Sequence, residues 1–276
     1  MSFREMKKRR VAIFLYHGVN ESGADAIRDP IYALPIAAIS AQITWLREHG
    51  CTAIPLDTLL SPSGGEGDAC VITVDDCLAS AYTHLFPLLM SAEYRAVLFP
   101  VAGMVGRKGW VSWSELDEMR RAGMEIGSHT MTHANLAAIP RDELEREVSE
   151  SKKLLEDRLG ARVRFLSLPG GYQGASITAA AVETGYDAIC GSVFGYGHYG
   201  ADRYALKRFC LKGGDGELIV RRIMRGAYAP LAARYLRERG KNLCRRLMGE
   251  KLYAAVRGAL IPRGASKTLP RFPVGS

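Results

Sequence analysis

This chain lacks paired cysteines, long apolar runs and low-complexity tracts. Its six cysteines (Cys51, Cys70, Cys77, Cys190, Cys210 and Cys244) show no tight spacing and no C-x-x-C. In a chain of this length that pattern argues for buried, reduced thiols rather than a disulfide frame. No segment approaches 18 consecutive apolar residues, so no membrane-spanning helix is expected. The opening stretch MSFREMKKRRVAIFLYHGV places basic residues before apolar ones, but its apolar run is only VAIFLY and no small-residue cleavage site follows. That is too short for the core of a signal peptide, and a cytoplasmic protein is the expectation. Charge is unevenly placed along the chain. Between Glu217 and Arg271 there are 14 Lys+Arg against 3 Asp+Glu, so the net charge of +8 belongs to the tail rather than the body.

What is present is a globular composition. With 276 residues, 47% of them hydrophobic, the chain can bury a full core as one large α/β domain or two smaller ones. Candidate strands fall at Val11–Tyr16, Thr52–Pro55, Cys70–Asp75, Ala96–Pro100, Glu125–Ser128, Val163–Leu168, Ala188–Gly191 and Ala205–Leu211. Between them, Pro35–His49 carries Ile36, Ile39, Ile43 and Leu46 at helical spacing. Ser114 is a plausible N-cap for a helix to Ala122, and Arg141–Leu159 reads as a helix stopped by Gly160. The alternation predicts a parallel sheet, and seven or eight βα repeats fit a barrel-like count. Gly213-Gly214-Asp215-Gly216 interrupts the pattern. The expected organisation is therefore a body over 1–215 and a basic, mostly helical extension over 216–276. Ser63–Gly67 is glycine-rich but precedes a strand rather than a helix, so it reads as a connection and not a phosphate loop.

Histidine is rare, with six in the chain, yet two stand four residues apart in IGSHTMTHAN: His129 and His133. That spacing is common by chance and needs a third ligand to mean anything. The stretch VITVDDC supplies one. Asp75 and Asp76 follow a buried apolar run, where two adjacent carboxylates repel unless a cation lies nearby. Side chains alternate along a strand, so one aspartate can ligate a metal while the other serves as a base. The competing reading makes them caps of the next helix. Both stretches end predicted strands on the side where α/β folds place their sites. An Asp and two His form a three-ligand set with an open position for water, and the spare Asp fits a general base.

Four motifs in order, YHGV (Tyr16–Val19), TVDDC, IGSHTMTH and LSLPGGY (Leu166–Tyr172), resemble those of the polysaccharide deacetylase family, also called NodB-homology or carbohydrate esterase family 4. The resemblance covers roughly residues 10 to 212. It implies an α/β fold, a distorted (β/α)7-type barrel, that removes an N-acetyl group from an amino sugar in a glycan or glycoside precursor. Carried over residue by residue, it makes Asp75 the catalytic base. Asp76, His129 and His133 become ligands of a divalent metal, zinc before cobalt or nickel. Tyr172 becomes the residue whose backbone N–H holds the oxyanion. His17, Pro169, Gly170 and Gly171 fall at the ends of strands where substrate would bind.

The chain departs from the family pattern at several points. Cys77 stands where the family usually has glycine, and reads as a small buried filler in preference to a fourth ligand. Leu168 replaces the arginine that normally pairs with the base, and Arg164 or Arg208 is left to reach it instead. The late strand YALKRFCL lacks the family's acid histidine. His198 is then the nearest candidate for that acid, and Asp187 looks like the aspartate that tunes it. These gaps motivate a contrasting reading, a catalytically weak carbohydrate-binding protein on the same fold. The expected partners are an N-acetylated carbohydrate and no nucleic acid. Arg234, Arg237, Lys241 and Arg245, interleaved with apolar residues, also suit an anionic membrane surface, peripheral to its inner face. Vesicle flotation of the whole chain against one truncated at Glu217 separates that reading from a helix packed on the body.

Overall fold

The first strand, β1 (Arg10–Tyr16), is buried from Val11 onward, because apolar residues occupy both of its faces. A short parallel pair follows, β2 (Gly18–Val19) and β3 (Ala33–Leu34). Helix α1 (Ile36–Glu48) buries Ile39, Ile43 and Leu46, the face read from its spacing. Next come β4 (Thr52–Ala53), α2 (Leu56–Leu60) and the eight-residue β5 (Ala69–Asp76), buried over all but its last residue. The remaining elements are α3 (Phe86–Ser91), β6 (Val97–Pro100), α4 (Trp113–Arg121), β7 (Glu125–Ile126), α5 (Arg141–Leu159), β8 (Phe165–Ser167), α6 (Ala175–Glu183), β9 (Ala188–Cys190), β10 (Gly197–His198), β11 (Phe209–Cys210) and α7 (Glu217–Met224). This computed structural model describes residues 10–20, 30–64 and 67–227, with Leu236 and Gly240.

The strands build a mixed α/β arrangement whose axis is β5. It pairs in parallel with β1, β4 and β6; β6 pairs with β7, and β1 with β11. β8 and β9 form a separate parallel pair. Single parallel bridges, Ser128 to Leu166 and Cys190 to Leu206, join that pair to its neighbours. The pairing is therefore not one continuous closed ladder, and six of the eight expected strands are shorter than their apolar patterns suggested. Gly127 explains one of these short strands. A Cβ there would stand 2.4 Å from the Phe99 ring and 2.8 Å from the Phe165 carbonyl oxygen, so only glycine lets the backbones approach so closely.

Alternate residues of several strands converge on one apolar cluster: Val11 and Ile13, Val71, Val97 and Phe99, Phe165, Ala188 and Cys190, and Leu206. Continuing the same alternation by two residues leads from Val71 to Thr73 and Asp75, from Phe165 to Ser167, and from Leu206 to Arg208. A polar layer thus caps an apolar plug.

Two boundaries differ from expectation. The N-cap of α4 is Ser112, whose hydroxyl accepts from the Glu115 N–H, while the Glu115 carboxylate accepts from the Ser112 N–H at 2.7 Å. This capping box outcompetes Ser114, because the reciprocal partner must lie three residues on. The break drawn near 215 is also displaced. α7 packs on α1, Gln42 Nε2 donates to the Asp215 carbonyl at 2.6 Å, and the Tyr196 hydroxyl donates to the Ile223 carbonyl at 2.5 Å. The chain divides into units Met1–Arg225 and Gly226–Ser276. Apart from Leu236 and Gly240, the basic extension beyond 227 lies outside the described residues, as do the lipid-facing residues proposed within it. Among the described residues, no helix is long and apolar enough to cross a membrane.

Candidate active site

β5 carries two carboxylates out of the core and then breaks. Asp76 and Cys77 both adopt left-handed backbone, with φ of 66° and 57°. Such conformations are costly for residues with a side chain and persist where the surroundings enforce them. Asp75 keeps the inward direction of Val71 and Thr73 and is 2% exposed. Its carboxylate receives a bidentate clamp from Arg208, Nη1 to Oδ1 and Nη2 to Oδ2, each at 2.8 Å. Ser167 Oγ donates to Asp75 Oδ2 at 2.8 Å and itself accepts from Arg208 Nη2 at 2.8 Å. Arg208 Nη1 further donates to Thr73 Oγ1 at 3.2 Å, and Nε donates to the Gly191 carbonyl at 2.7 Å. Burial alone would raise the Asp75 pKa, but the Arg208 charge and hydrogen bonds, with help from His129, hold it well below the ordinary carboxylate range. Asp75 is thus an anion fixed in place.

Asp76 has no such cation. Its Oδ1 is buried without a hydrogen-bond partner, 3.6 Å from His129 Nε2 and 3.5 Å from His133 Nε2. Those distances are too long for hydrogen bonds. They match ligand atoms around a shared ion, since two bonds of about 2.0–2.1 Å at a tetrahedral angle place their ends roughly 3.3–3.5 Å apart. His129 is prepared for that role. Its Nδ1 lies 2.8 Å from the Ser167 carbonyl oxygen, which accepts only if Nδ1 carries the proton and leaves the Nε2 lone pair free. Asp76, His129 and His133 are the one group of three or more potential ligands among the described residues, their ligand atoms all within 4.8 Å of one another. The donor set and the orphaned oxygen fit a divalent cation.

The other expected residues separate. His17 follows β1 beside β5. Its ring packs 4.8 Å from that of Tyr32, and its Nδ1 is buried without a hydrogen-bond partner. Burial pushes its pKa below the ordinary value against the pull of Asp76 and Asp75, an interaction that puts it near both carboxylates. Pro169, Gly170 and Gly171 form a tight turn after β8, with φ of 65° and 71° at the two glycines. A Cβ on Gly171 would meet the Ser192 side chain at 2.3 Å, so this turn tolerates only glycine. Tyr172 follows it, its ring folded over Gly170.

His198 is not in the site. It pairs with Arg10 at the start of β1, whereas Asp75 and Asp76 lie beyond the register of the other end of that strand. About seven residues at ~3.3 Å each, roughly 23 Å, separate the two levels. Asp187 likewise precedes β9 and is held by Arg162 and Arg164, each at 2.7 Å. That engagement removes Arg164 from contention as the partner of Asp75 and leaves Arg208. Cys77 is fully buried, and burial beside the two carboxylates pushes its thiol pKa well up, so it is a neutral filler. Ser167, which carries no charge to replace the missing arginine, touches both halves of the site through its hydroxyl and its carbonyl. The alternation Phe165–Ser167 was the signal that could have found it.

The fold and site together define an α/β protein with a two-histidine, one-aspartate centre beside a clamped carboxylate. The sequence model described as "Polysaccharide deacetylase" matches residues 63–189, and this part of the chain is similar to that family. Bacillus subtilis (strain 168) YxkH, whose name places it among polysaccharide deacetylases, is 27% identical over 184 residues, 65% of this chain and 63% of its own length. The poly-beta-1,6-N-acetyl-D-glucosamine N-deacetylase of Escherichia coli (strain K12) is 27% identical over 42% of this chain and 20% of its own length. This chain therefore spans less than two thirds of either relative. Among solved structures, the polysaccharide deacetylase BC0361 of Bacillus cereus superposes with a TM-score of 0.70 at 20% identity, covering 78% of this chain and 69% of that one. IcaB from Ammonifex degensii does so with 0.67 at 21%, covering 80% and 97%. These likenesses show the fold.

Proposed function

We propose that this protein is a metal-dependent hydrolase that removes the N-acetyl group from an amino sugar in a glycan or glycoside precursor. One observation carries the reading: a clamped, anionic Asp75 adjoins an Asp76 oxygen that faces two imidazole nitrogens and has no hydrogen-bond partner. The substrate class is supported by the Escherichia coli relative and by a peptidoglycan-N-acetylglucosamine deacetylase of Bacillus cereus, 29% identical over 43% of this chain and 54% of its own length. Asp76, His129 and His133 would hold the ion, with zinc preferred and cobalt or nickel also suited to the donors. When bound, it supplies a Lewis acid for the acetyl carbonyl and lowers the pKa of water.

The chain's own residues do the rest. Asp75 accepts the proton of the attacking water, and Arg208 and Ser167 keep its carboxylate oriented. The Tyr172 N–H donates to the developing oxyanion. His17, an imidazole with an unpartnered nitrogen beside the carboxylates, would pass on to the leaving nitrogen the proton that Asp75 takes from the water, in place of the distant His198. The single bridges between strand groups support reading the whole as a distorted seven-stranded barrel.

The carbohydrate-binder alternative rested on a missing arginine and a missing acid. The Arg208 clamp answers the first reason, and the role proposed for His17 would answer the second. Acetate release from a panel of N-acetylated amino sugars tests the proposal. Asp75→Asn is expected to lower kcat by about 10²–10⁴-fold, with the fold verified by circular dichroism. Release that persists unchanged in this variant would overturn the mechanism, and no release from any substrate would favour the binder.

A further inference from the structure

The loop that presents the two histidines is held by α5. Ser151 Oγ accepts from Ser128 Oγ at 2.9 Å, just before His129. One helical turn earlier, Glu147 accepts from the N–H groups of Met131 and Thr132 on Oε2, at 3.0 and 2.9 Å. Its other oxygen, Oε1, accepts from the Thr132 hydroxyl at 2.5 Å. One helix thus grips the loop on both sides of Thr130. The grip is needed, because Thr130 and His133 both adopt left-handed backbone, with φ of 66° and 64°. Local bonds assist: the Thr130 N–H donates to Ser128 Oγ and the His133 N–H to Thr130 Oγ1, each at 3.2 Å. Two residues in this conformation stay there only while their surroundings over-determine them. Glu147 lies half-buried on the flank of the face by which α5 buries Leu144, Val148 and Leu155, so its own position is fixed by core packing.

We propose that Glu147 is a positioning residue that holds the Thr130–His133 turn so that His133 Nε2 stays opposite Asp76 before any ion arrives. This rests on the metal reading of the site. A carboxylate that accepts two backbone N–H groups and a hydroxyl restrains the loop without touching ion or substrate. Releasing it allows the left-handed turn to relax and carry the imidazole away. The penalty then falls on ion binding, because the apo site must be rebuilt each time an ion enters.

Equilibrium titration of full-length protein with Zn²⁺, against a chromogenic chelator, reads this directly. Glu147→Ala is expected to raise the zinc dissociation constant about 10–100-fold. Glu147→Gln should do so by less, since its amide oxygen still accepts from the backbone and its NH₂ can donate to the Thr132 hydroxyl. At saturating zinc, KM should stay within about twofold of wild type while kcat recovers in part. Unchanged zinc affinity in Glu147→Ala, whether or not metal-free stability falls, overturns the proposal, because a purely structural contact would lower stability alone. Should Glu147→Ala fail to fold, Glu147→Gln and Thr132→Val are scored on the same titration, and wild-type affinity in both overturns it. His133→Ala serves as the reference: if it binds zinc like wild type, the metal reading itself fails, a result distinct from a silent Glu147.

Discussion

At the scale of single residues, neighbours in sequence have opposite electrostatic fates. Asp75 and Asp76 are joined by one peptide bond. One is neutralised by a guanidinium built into the chain, while among the described residues the Oδ1 of the other has no hydrogen-bond partner and faces only two imidazoles. Arg208 is fully buried, so replacing it with Met strands a carboxylate in the interior. The expected loss is about 3–5 kcal/mol at pH 7, measured by urea unfolding. The sign of its pH dependence follows from the depressed pKa of Asp75. In the wild type the pair contributes stability above the ordinary carboxylate pKa and loses it on acidification through the lower folded value. The deficit of Arg208→Met should therefore narrow as pH falls below about 4. A deficit constant from pH 7 to pH 3 would show that the pair is not what Arg208 contributes. The aspartates and histidines were legible beforehand because few residue types can ligate or act as bases, and these stood at strand ends. Arg208 was legible only as one of two arginines that could replace the missing one, because 133 positions separate it from Asp75 and residue type alone does not choose between it and Arg164.

At the scale of elements, periodicity located helices better than it located their ends or their partners. Helix α5 falls on Arg141–Leu159 and stops at Gly160 with φ of 59°, where a left-handed residue closes the last turn. Nothing in its pattern marked Glu147 or Ser151, because hydrogen bonds across 15 and 23 residues leave no trace in a helical repeat. Helix α4 shows how narrowly a boundary is set. Ser112 and Ser114 are both suitable caps by residue type, and only Ser112 has Glu115 at the reciprocal position. Ser112→Ala is expected to cost about 1 kcal/mol and Ser114→Ala less than about 0.5 kcal/mol, read from denaturant midpoints. Equal losses would mean that the box is not what starts this helix.

Across the whole molecule, the two ends of the strands have different electrostatic characters. At the end opposite the site, the Arg164 guanidinium meets Asp187 at 2.7 Å, Asp57 at 3.1 Å and Glu125 at 3.8 Å. Burial, with repulsion from Asp57 and Asp187, pushes the Glu125 pKa up to about 7 despite Arg164. A carboxyl raised in the folded state binds more protons there than in the unfolded chain. Its effect is most favourable below pH ~4.5, and stability falls as pH rises to about 7. Wild type should lose roughly 1–3 kcal/mol more than Glu125→Gln between pH 4.5 and pH 8. Parallel stability curves would sink this assignment.

What the sequence determined by itself was chemical. Strand-end carboxylates, a spaced histidine pair and an apolar alternation name a metal-competent α/β body, because these properties are local and carried by residue type. Tertiary structure alone decided which cation answers which carboxylate, which histidine stands near the site, and what holds the ligand loop. Those choices depend on strand register. Two residues of shift along β1 exchange one level of the sheet for another, and seven carry His198 to the far end while leaving His17 beside Asp75.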